Sequence, residues 1–277
     1  MRAGWNGAEP PALPPLRTWE KLRLGLRAAW SLLGLAAIFF VFLAVRGVDL
    51  GLARLAGRRV TDMGPGVVKL WAAQALPVMG LRFVQHGEPM RRGGAFVGNH
   101  SSWIDIVVLQ RAAAPFLVSK AEVRGWPVIG QIGRAIGTMF IDRRPAEAKR
   151  QEAELFARLV RGDQMAIFPE GTSSDGQRIL PFKSALFGVF FAPEVQESVA
   201  VQPVTIRYSP RPDLPASFYA WWGEMEFATH FCDVLARSTR GVVEVTFHPP
   251  LRASDFAGRK AMAERAEAVV AGVFGAG

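Results

Sequence analysis

Beyond about residue 90, apolar runs of strand length alternate with helical patterns. Ala95-Val97, Phe116-Ser119, Thr138-Ile141, Met165-Phe168, Ala200-Ile206 and Val242-Phe247 read as strands. Between them the periodicity predicts helices near 103–113, 146–161 and 184–191. The pattern is clearest over 146–161, with Leu155, Phe156, Leu159 and Val160 on one side and Glu154 four residues before Arg158 on the other. Such alternation predicts an α/β fold, a mostly parallel or mixed sheet covered by helices, with the loops at the strand ends carrying the chemistry. Residues 209–228 break the rhythm: Pro210, Pro212 and Pro215 precede Phe218, Tyr219, Trp221 and Trp222. This insertion either packs its aromatics on the core or presents them to a headgroup layer. The alanine-rich 254–274 segment is amphipathic and reads as a covering helix.

The N-terminal part follows a different pattern. Residues 1–16 hold Pro10, Pro11, Pro14 and Pro15 and read as a flexible tail. From Ala28 to Val45 there is no charge, enough for a helix of about 27 Å at about 1.5 Å per residue, close to the thickness of a bilayer's hydrocarbon core. Arg17, Lys21, Arg23 and Arg27 precede it; Arg46, Arg54, Arg58 and Arg59 follow it. Basic flanks on both sides leave no asymmetry to orient a span and favour a shallow membrane-associated helix or hairpin. A second apolar stretch, Val67 to Leu81, is interrupted by Lys69 and Pro77 and is placed to return along the same interface. The expected organisation is a tail over 1–16, a membrane-associated helical segment over 17–82 and a catalytic domain over 83–277.

Composition narrows the partners. A formal charge of +9 favours an anionic surface. The chain has no zinc-finger, recognition-helix or stacking-strand signature, and its basic residues are dispersed, so membrane lipid is the expected partner and nucleic acid is not. The single cysteine, Cys232, rules out an internal disulfide and reads as a small buried hydrophobe. Four histidines include no pair at helical metal-ligand spacing, so no metal is expected.

The candidate chemistry begins at Asn99-His100-Ser101-Ser102-Trp103-Ile104-Asp105. A neutral imidazole takes a proton from an alcohol when one ring nitrogen faces the alcohol and an acceptor holds the other. Asp105 can be that acceptor if His100 sits in the strand-to-helix loop, with Ser101 or Ser102 capping the helix that follows. Ser102-Trp103-Ile104-Asp105 equally matches a capping box, in which Asp105 bonds a backbone amide. On this segment alone the two readings stand level.

Three further segments follow in order: Gly137-Thr138-Met139-Phe140-Ile141-Asp142-Arg143, Phe168-Pro169-Glu170-Gly171-Thr172-Ser173-Ser174, and Val201-Gln202-Pro203-Val204. Together the four resemble the glycerolipid acyltransferase family that includes the 1-acylglycerol-3-phosphate acyltransferases, over roughly Gly94 to Ile206. The resemblance implies an O-acyltransferase that moves a fatty acyl group from acyl-CoA or acyl-carrier protein to a lipid hydroxyl. It further implies no cofactor beyond that donor, and residence at a bacterial-type inner membrane with the site on the cytoplasmic face. His100 and Asp105 are then the catalytic pair. Arg143, Glu170, Gly171, Thr172, Ser173 and Lys183 fall at acceptor-binding positions, with Asn99, Pro169 and Pro203 in support. A carboxylate beside an anion site is repulsive, so Glu170 is expected to organise its loop. No G-x-S-x-G elbow is present, and thioesters are already activated, so direct transfer is favoured over an acyl-enzyme.

One departure bears on the acceptor. Lysophosphatidate-acylating relatives write E-G-T-R-S, whereas Ser173 stands at the arginine's place, followed by Ser174-Asp175-Gly176. A hydroxyl in place of a cation suits a less anionic or zwitterionic head. With Pro181-Phe182-Lys183-Ser184 and Trp221-Trp222-Gly223, the chain is similar to bacterial lyso-ornithine lipid acyltransferases. The acceptor expected is therefore lyso-ornithine lipid, with lysophosphatidate as the alternative. Two remoter alternatives are a lipid hydrolase using the same pair on water and a basic membrane scaffold without catalysis.

Overall fold

The computed structural model describes residues 5–56, 64–126, 129–142 and 144–274. Eight strands form one sheet: β1 (Leu81–His86), β2 (Gly94–Gly98), β3 (Phe116–Lys120), β4 (Met139–Ile141), β5 (Gln164–Ile167), β6 (Ala200–Ser209), β7 (Gly241–Phe247) and β8 (Leu251–Arg252). The order is β1-β7-β6-β2-β5-β3-β4, with β8 paired to β6. Neighbours run parallel except where β6 meets β7 and β8, so the sheet is mixed, as the sequence pattern predicts.

The helices are α1 (Thr18–Ala56), α2 (Gly64–Val78), α3 (Ile104–Ala112), α4 (Ile129–Ala135), α5 (Pro145–Arg161), α6 (Pro193–Gln196), α7 (Phe227–Arg237) and α8 (Arg259–Gly272). Alternation along the central strands sorts them onto two faces. Phe96, Ala166, Val204 and Ile206 meet α2, α3 and α7 through Ala72, Leu76, Val107, Val108, Val234 and Leu235. Ala95, Val97, Met165, Ile167 and Val201 meet α5 and α8 through Leu155, Leu159, Met262 and Ala266. Every residue of β2 is buried, because sheet neighbours flank it on both sides and helices cover both faces.

The structure refines several expectations. The helix expected near 184–191 is present over Ser184–Phe191 and winds as a 3₁₀ helix. Gly188 and the aromatic residues are weak α formers, and the buried Phe187 and Phe190, three apart, fit a three-residue turn. The stretch Val67 to Leu81 does more than return along an interface. It becomes α2, whose Ala72 and Leu76 enter the domain core, and Leu81 opens β1 beside β7. The periodicity also passed over α4, α6, α7, β1 and β8.

α1 is 39 residues long, free of charge from Ala28 to Val45 and only 6 % buried over its most hydrophobic window, long enough to cross a membrane. It forms a helix pair with α2, where Gly34 lies against the Gln74 side chain. Before α1, residues 5–16 carry no helix or strand and lie along the domain. There the Trp222 indole N–H donates to the Ala8 carbonyl at 3.0 Å, and Arg237 donates to that of Pro14.

Candidate active site

The site is assembled at the C-terminal end of β2. Gly98 closes the strand so near β6 that a Cβ would stand 2.5 Å from the Val204 carbonyl oxygen, which only glycine avoids. Asn99 then grips β6 in both directions. Its Nδ2 donates to the Ile206 carbonyl at 2.9 Å, and its Oδ1 accepts the Ile206 N–H at 2.8 Å. Asn99 therefore anchors the loop and does not hold Asp105. Pro203 lies where β6 has passed β8 and not yet reached its pairing with β7. There its carbonyl accepts the His248 N–H at 3.0 Å, and its missing N–H is not needed.

His100 precedes α3, as the spacing requires, and Asp105 lies in the first turn. His100 Nδ1 and Asp105 Oδ2 are 2.8 Å apart. The same Oδ2 accepts the Ser101 and Ser102 N–H groups at 2.8 and 2.9 Å. Both readings of this segment therefore hold at once: Asp105 caps the helix start and holds the imidazole, through one oxygen. Asp105 is 0 % exposed, so the carboxylate is shielded from water and its neighbours fix its geometry. The His100 side chain keeps 22 % of its surface exposed, and no hydrogen bond among the described residues engages Nε2. With Nδ1–H committed to the carboxylate, Nε2 is the basic nitrogen, open to a hydroxyl.

The Phe168-Ser174 loop wraps the same histidine. Phe168 stacks on the imidazole with centroids 4.2 Å apart and planes 15° apart. Glu170, 2 % exposed, accepts the His100 main-chain N–H through Oε1 at 3.2 Å, and its Oε2 is buried without a partner. Burial above all, with the Asp105 and Glu267 charges adding, raises the Glu170 carboxyl to about 8, against the pull of the His100 and Leu180 amides. The Ser174 N–H donates to the His100 carbonyl at 2.9 Å, closing the loop on the base from the other side. Gly171 has φ +69°, a left-handed conformation that favours glycine. Next to it, the buried Pro169 accepts the Lys183 N–H at 3.0 Å.

The remaining predicted residues spread out from this centre. Lys183 is exposed, with its ammonium reaching over Gly171. Thr172 is half-buried and its Oγ1 accepts the Trp5 N–H at 3.3 Å. Ser173 and Asp175 are buried, and Asp175 pairs with Arg178 at 3.0 Å under the Trp5 ring. Arg143 lies outside the described residues; its neighbour Arg144 is exposed and pairs with Asp142. Tyr208 was not foreseen: its hydroxyl donates to Asp105 Oδ1 at 2.7 Å. The sequence signal was its place on β6, two residues beyond Ile206 and so at the same end of the sheet as Asn99. Among the described residues no group of three or more His, Cys, Asp or Glu is placed to hold a metal ion.

This geometry, on a sheet of this order, can be set beside known proteins. Residues 81–207 match the family model described as acyltransferase. The lyso-ornithine lipid O-acyltransferase of Rhodobacter capsulatus is 41 % identical over 96 % of this chain and 95 % of its own length. The chain belongs to the acyltransferase family. It is an O-acyltransferase, and the match spans β1 to β6, the segment that carries His100, Asp105 and the Phe168-Ser174 loop. A 1-acyl-sn-glycerol-3-phosphate acyltransferase of Neisseria meningitidis is 32 % identical over 59 % of this chain and 61 % of its own. The acyltransferase also shares its fold with the crystal structure of the 1-acyl-sn-glycerophosphate (LPA) acyltransferase PlsC from Thermotoga maritima. That alignment has a TM-score of 0.65 at 21 % identity and covers 92 % and 96 % of the two chains.

Proposed function

We propose that this acyltransferase acts on a lysolipid and that its acceptor is lyso-ornithine lipid, with acyl-CoA or acyl-carrier protein as donor and no further cofactor. The observation that carries the mechanism is the 2.8 Å His100–Asp105 contact with Nε2 left open. His100 Nε2 takes the proton of the acceptor hydroxyl as that oxygen attacks the thioester carbonyl carbon. The new C–O bond gives a tetrahedral oxyanion. Its collapse breaks the C–S bond, and the imidazolium returns the proton to the departing thiolate. Asp105 holds the ring throughout. Glu170 organises the loop around the base, and Gly171, Thr172, Ser173 and Lys183 line the acceptor side; Arg143 is assigned to acceptor binding from its place in the sequence motif alone.

Two facts support the acceptor. Ser173 is buried where an arginine would meet a phosphate monoester, and the neighbouring Asp175–Arg178 pair is internally neutralised. The similarity to the Rhodobacter capsulatus protein runs nearly end to end, whereas that to the Neisseria meningitidis protein covers 59 % of this chain. The enzyme would work at the cytoplasmic face of an inner membrane, with α1 in lipid and the site beside the surface that supplies its acceptor.

Purified full-length protein in mixed micelles tests the reading with each acceptor and each donor in turn. Esterified ornithine lipid that requires both substrates, and a loss of about 10² to 10⁴-fold in His100→Ala, is the expected result. Phosphatidate formed without acylated ornithine lipid would reassign the acceptor. Fatty acid released without any acceptor would make the protein a hydrolase.

A further inference from the structure

Asp105 has two carboxylate oxygens, and the structure fills them unequally. Oδ2 receives three donors: the His100 ring, and the Ser101 and Ser102 amides. Oδ1 receives the Tyr208 hydroxyl at 2.7 Å. Because Asp105 is fully buried, Oδ1 stripped of the phenol would be an unpaired anionic oxygen inside the domain, a costly state that rotation of the carboxylate would relieve. That torsion is soft, since the terminal sp³–sp² bond has broad wells.

We propose that Tyr208 is a positioning residue for the general base, holding the Asp105 carboxylate at the rotation in which Oδ2 alone faces His100. The proposal rests on the acyl-transfer reading above. Tyr208 is itself fixed from two directions. Its ring lies 5.6 Å from that of Tyr219, whose hydroxyl is 2.6 Å from Ser238 Oγ. Its strand is gripped by Asn99 at Ile206, so the base and the orienter's holder are set in register by a single side-chain amide. The phenol acts as donor and not acceptor, since burial and the adjacent carboxylate keep it protonated well above the usual phenol range. The groups facing Asp105 are His100, Tyr208 and, through space, Glu170; those facing Tyr208 are Asp105 and Tyr219.

Tyr208→Phe removes one oxygen and keeps the ring. In the full-length enzyme kcat is expected to fall about tenfold with KM for both substrates unchanged, the loss of a hydrogen bond to a charged group. The acidic limb of the kcat–pH profile should move to higher pH, because a carboxylate relieved of one donor holds the imidazolium more tightly. The chain has only two tyrosines, which allows a second test that keeps the hydroxyl. In a Tyr219→Phe background, biosynthetic 3-fluorotyrosine enters at position 208 alone and strengthens the donor, which should move the same limb to lower pH. A third readout needs no turnover: the low-field Nδ1–H resonance that His100→Gln abolishes should shift in Tyr208→Phe. Tyr208→Phe with wild-type kcat and pH limb would overturn the proposal, whatever its thermal stability, as would a limb indifferent to fluorination. Should Tyr208→Phe not fold, the fluorotyrosine experiment decides, read both in the pH limb and in the Nδ1–H resonance. A wild-type protein without transfer activity toward any acceptor would instead strike the acyl-transfer reading and leave the resonance test standing.

Discussion

The Phe168 ring lies flat on the His100 imidazole, 4.2 Å between centroids and 15° between planes, so the base is held on its face as well as through Nδ1. Hydrogen bonding to Asp105 fixes one nitrogen but leaves the ring free to tilt about that bond, and the phenyl removes the tilt. Stacked aromatic pairs contribute about 0.5–1.5 kcal/mol beyond area burial. Phe168→Leu keeps an apolar residue without the plane. It should lower kcat by roughly two- to tenfold by that energy, with the thioester KM little changed. A steady-state comparison of the two enzymes checks this, and an unchanged kcat would mean the loop alone fixes the ring.

Glu170 gives the site an alkaline sensitivity. Its carboxyl, raised to about 8 chiefly by burial, is mainly protonated below that pH, and its ionisation above it would place a second buried charge beside Asp105. The folded pKa lies above the ordinary value of 4.5, so its contribution to stability is fully present below about 4.5 and is lost as pH rises through about 8. Glu170→Gln preserves the acceptor for the His100 N–H and cannot ionise. Its melting temperature should fall less than that of the wild type between pH 5 and 9, and activity should persist further into the alkaline range. Parallel pH curves for the two proteins would show that Glu170 is ionised throughout.

His230 works in the opposite direction. The Trp103 indole N–H donates to its Nδ1 at 2.9 Å, leaving Nε2–H for the Phe218 carbonyl at 3.2 Å, an arrangement that suits only the neutral ring. Burial holds it down to about 4, so the stability of the neutral form is present above about 6.5 and is lost as pH falls through about 4. Acid unfolding should therefore have a component removed in His230→Gln, which can still accept from Trp103. Denaturant midpoints measured from pH 7 to pH 4 should fall more steeply for the wild type than for the variant, and equal slopes would refute the assignment.

What the sequence made legible, and what it hid, divides by the range of the interaction. The runs Ala95-Val97 and Met165-Phe168 announced central strands because both faces of the sheet are covered. His100 and Asp105 were legible as a pair because five residues of one loop and helix start determine their meeting. Tyr208 lies 103 residues from the carboxylate it holds, and Trp5 lies 167 from Thr172; no local pattern encodes such contacts. The manner in which Asn99 gives its support is hidden for the same reason, its partner Ile206 being on another strand. The helix expected near 184–191 is present, and its 3₁₀ winding was not legible because apolar content without clear period does not distinguish 3.6 from 3.0 residues per turn.

The junction between the membrane helix and the catalytic domain rests on two arginines. Arg27 donates from one nitrogen to the Leu235 and Ser238 carbonyls at 2.9 and 2.7 Å, and Arg23 donates to that of Ala236 at 3.1 Å. These are among the last carbonyls of α7 and the residue after it, unpaired within the helix and at the negative end of its dipole, and the two guanidinium groups supply one donor to each. A buried Glu20–Arg237 contact at 3.7 Å lies beside them. α7 also carries His230, which supports Trp103 just ahead of α3, so the clamp connects the lipid-facing helix to the loop of the base. Arg27→Ala should cost about 2 kcal/mol or more, from hydrogen bonds to a charged group. Amide exchange should accelerate in the last turn of α7, while partition into vesicles stays as in the wild type because the charge-free Ala28–Val45 stretch is intact. Exchange and melting temperature both unmoved would show that packing of α1 on α7, and not the arginine, holds the catalytic domain to its membrane helix.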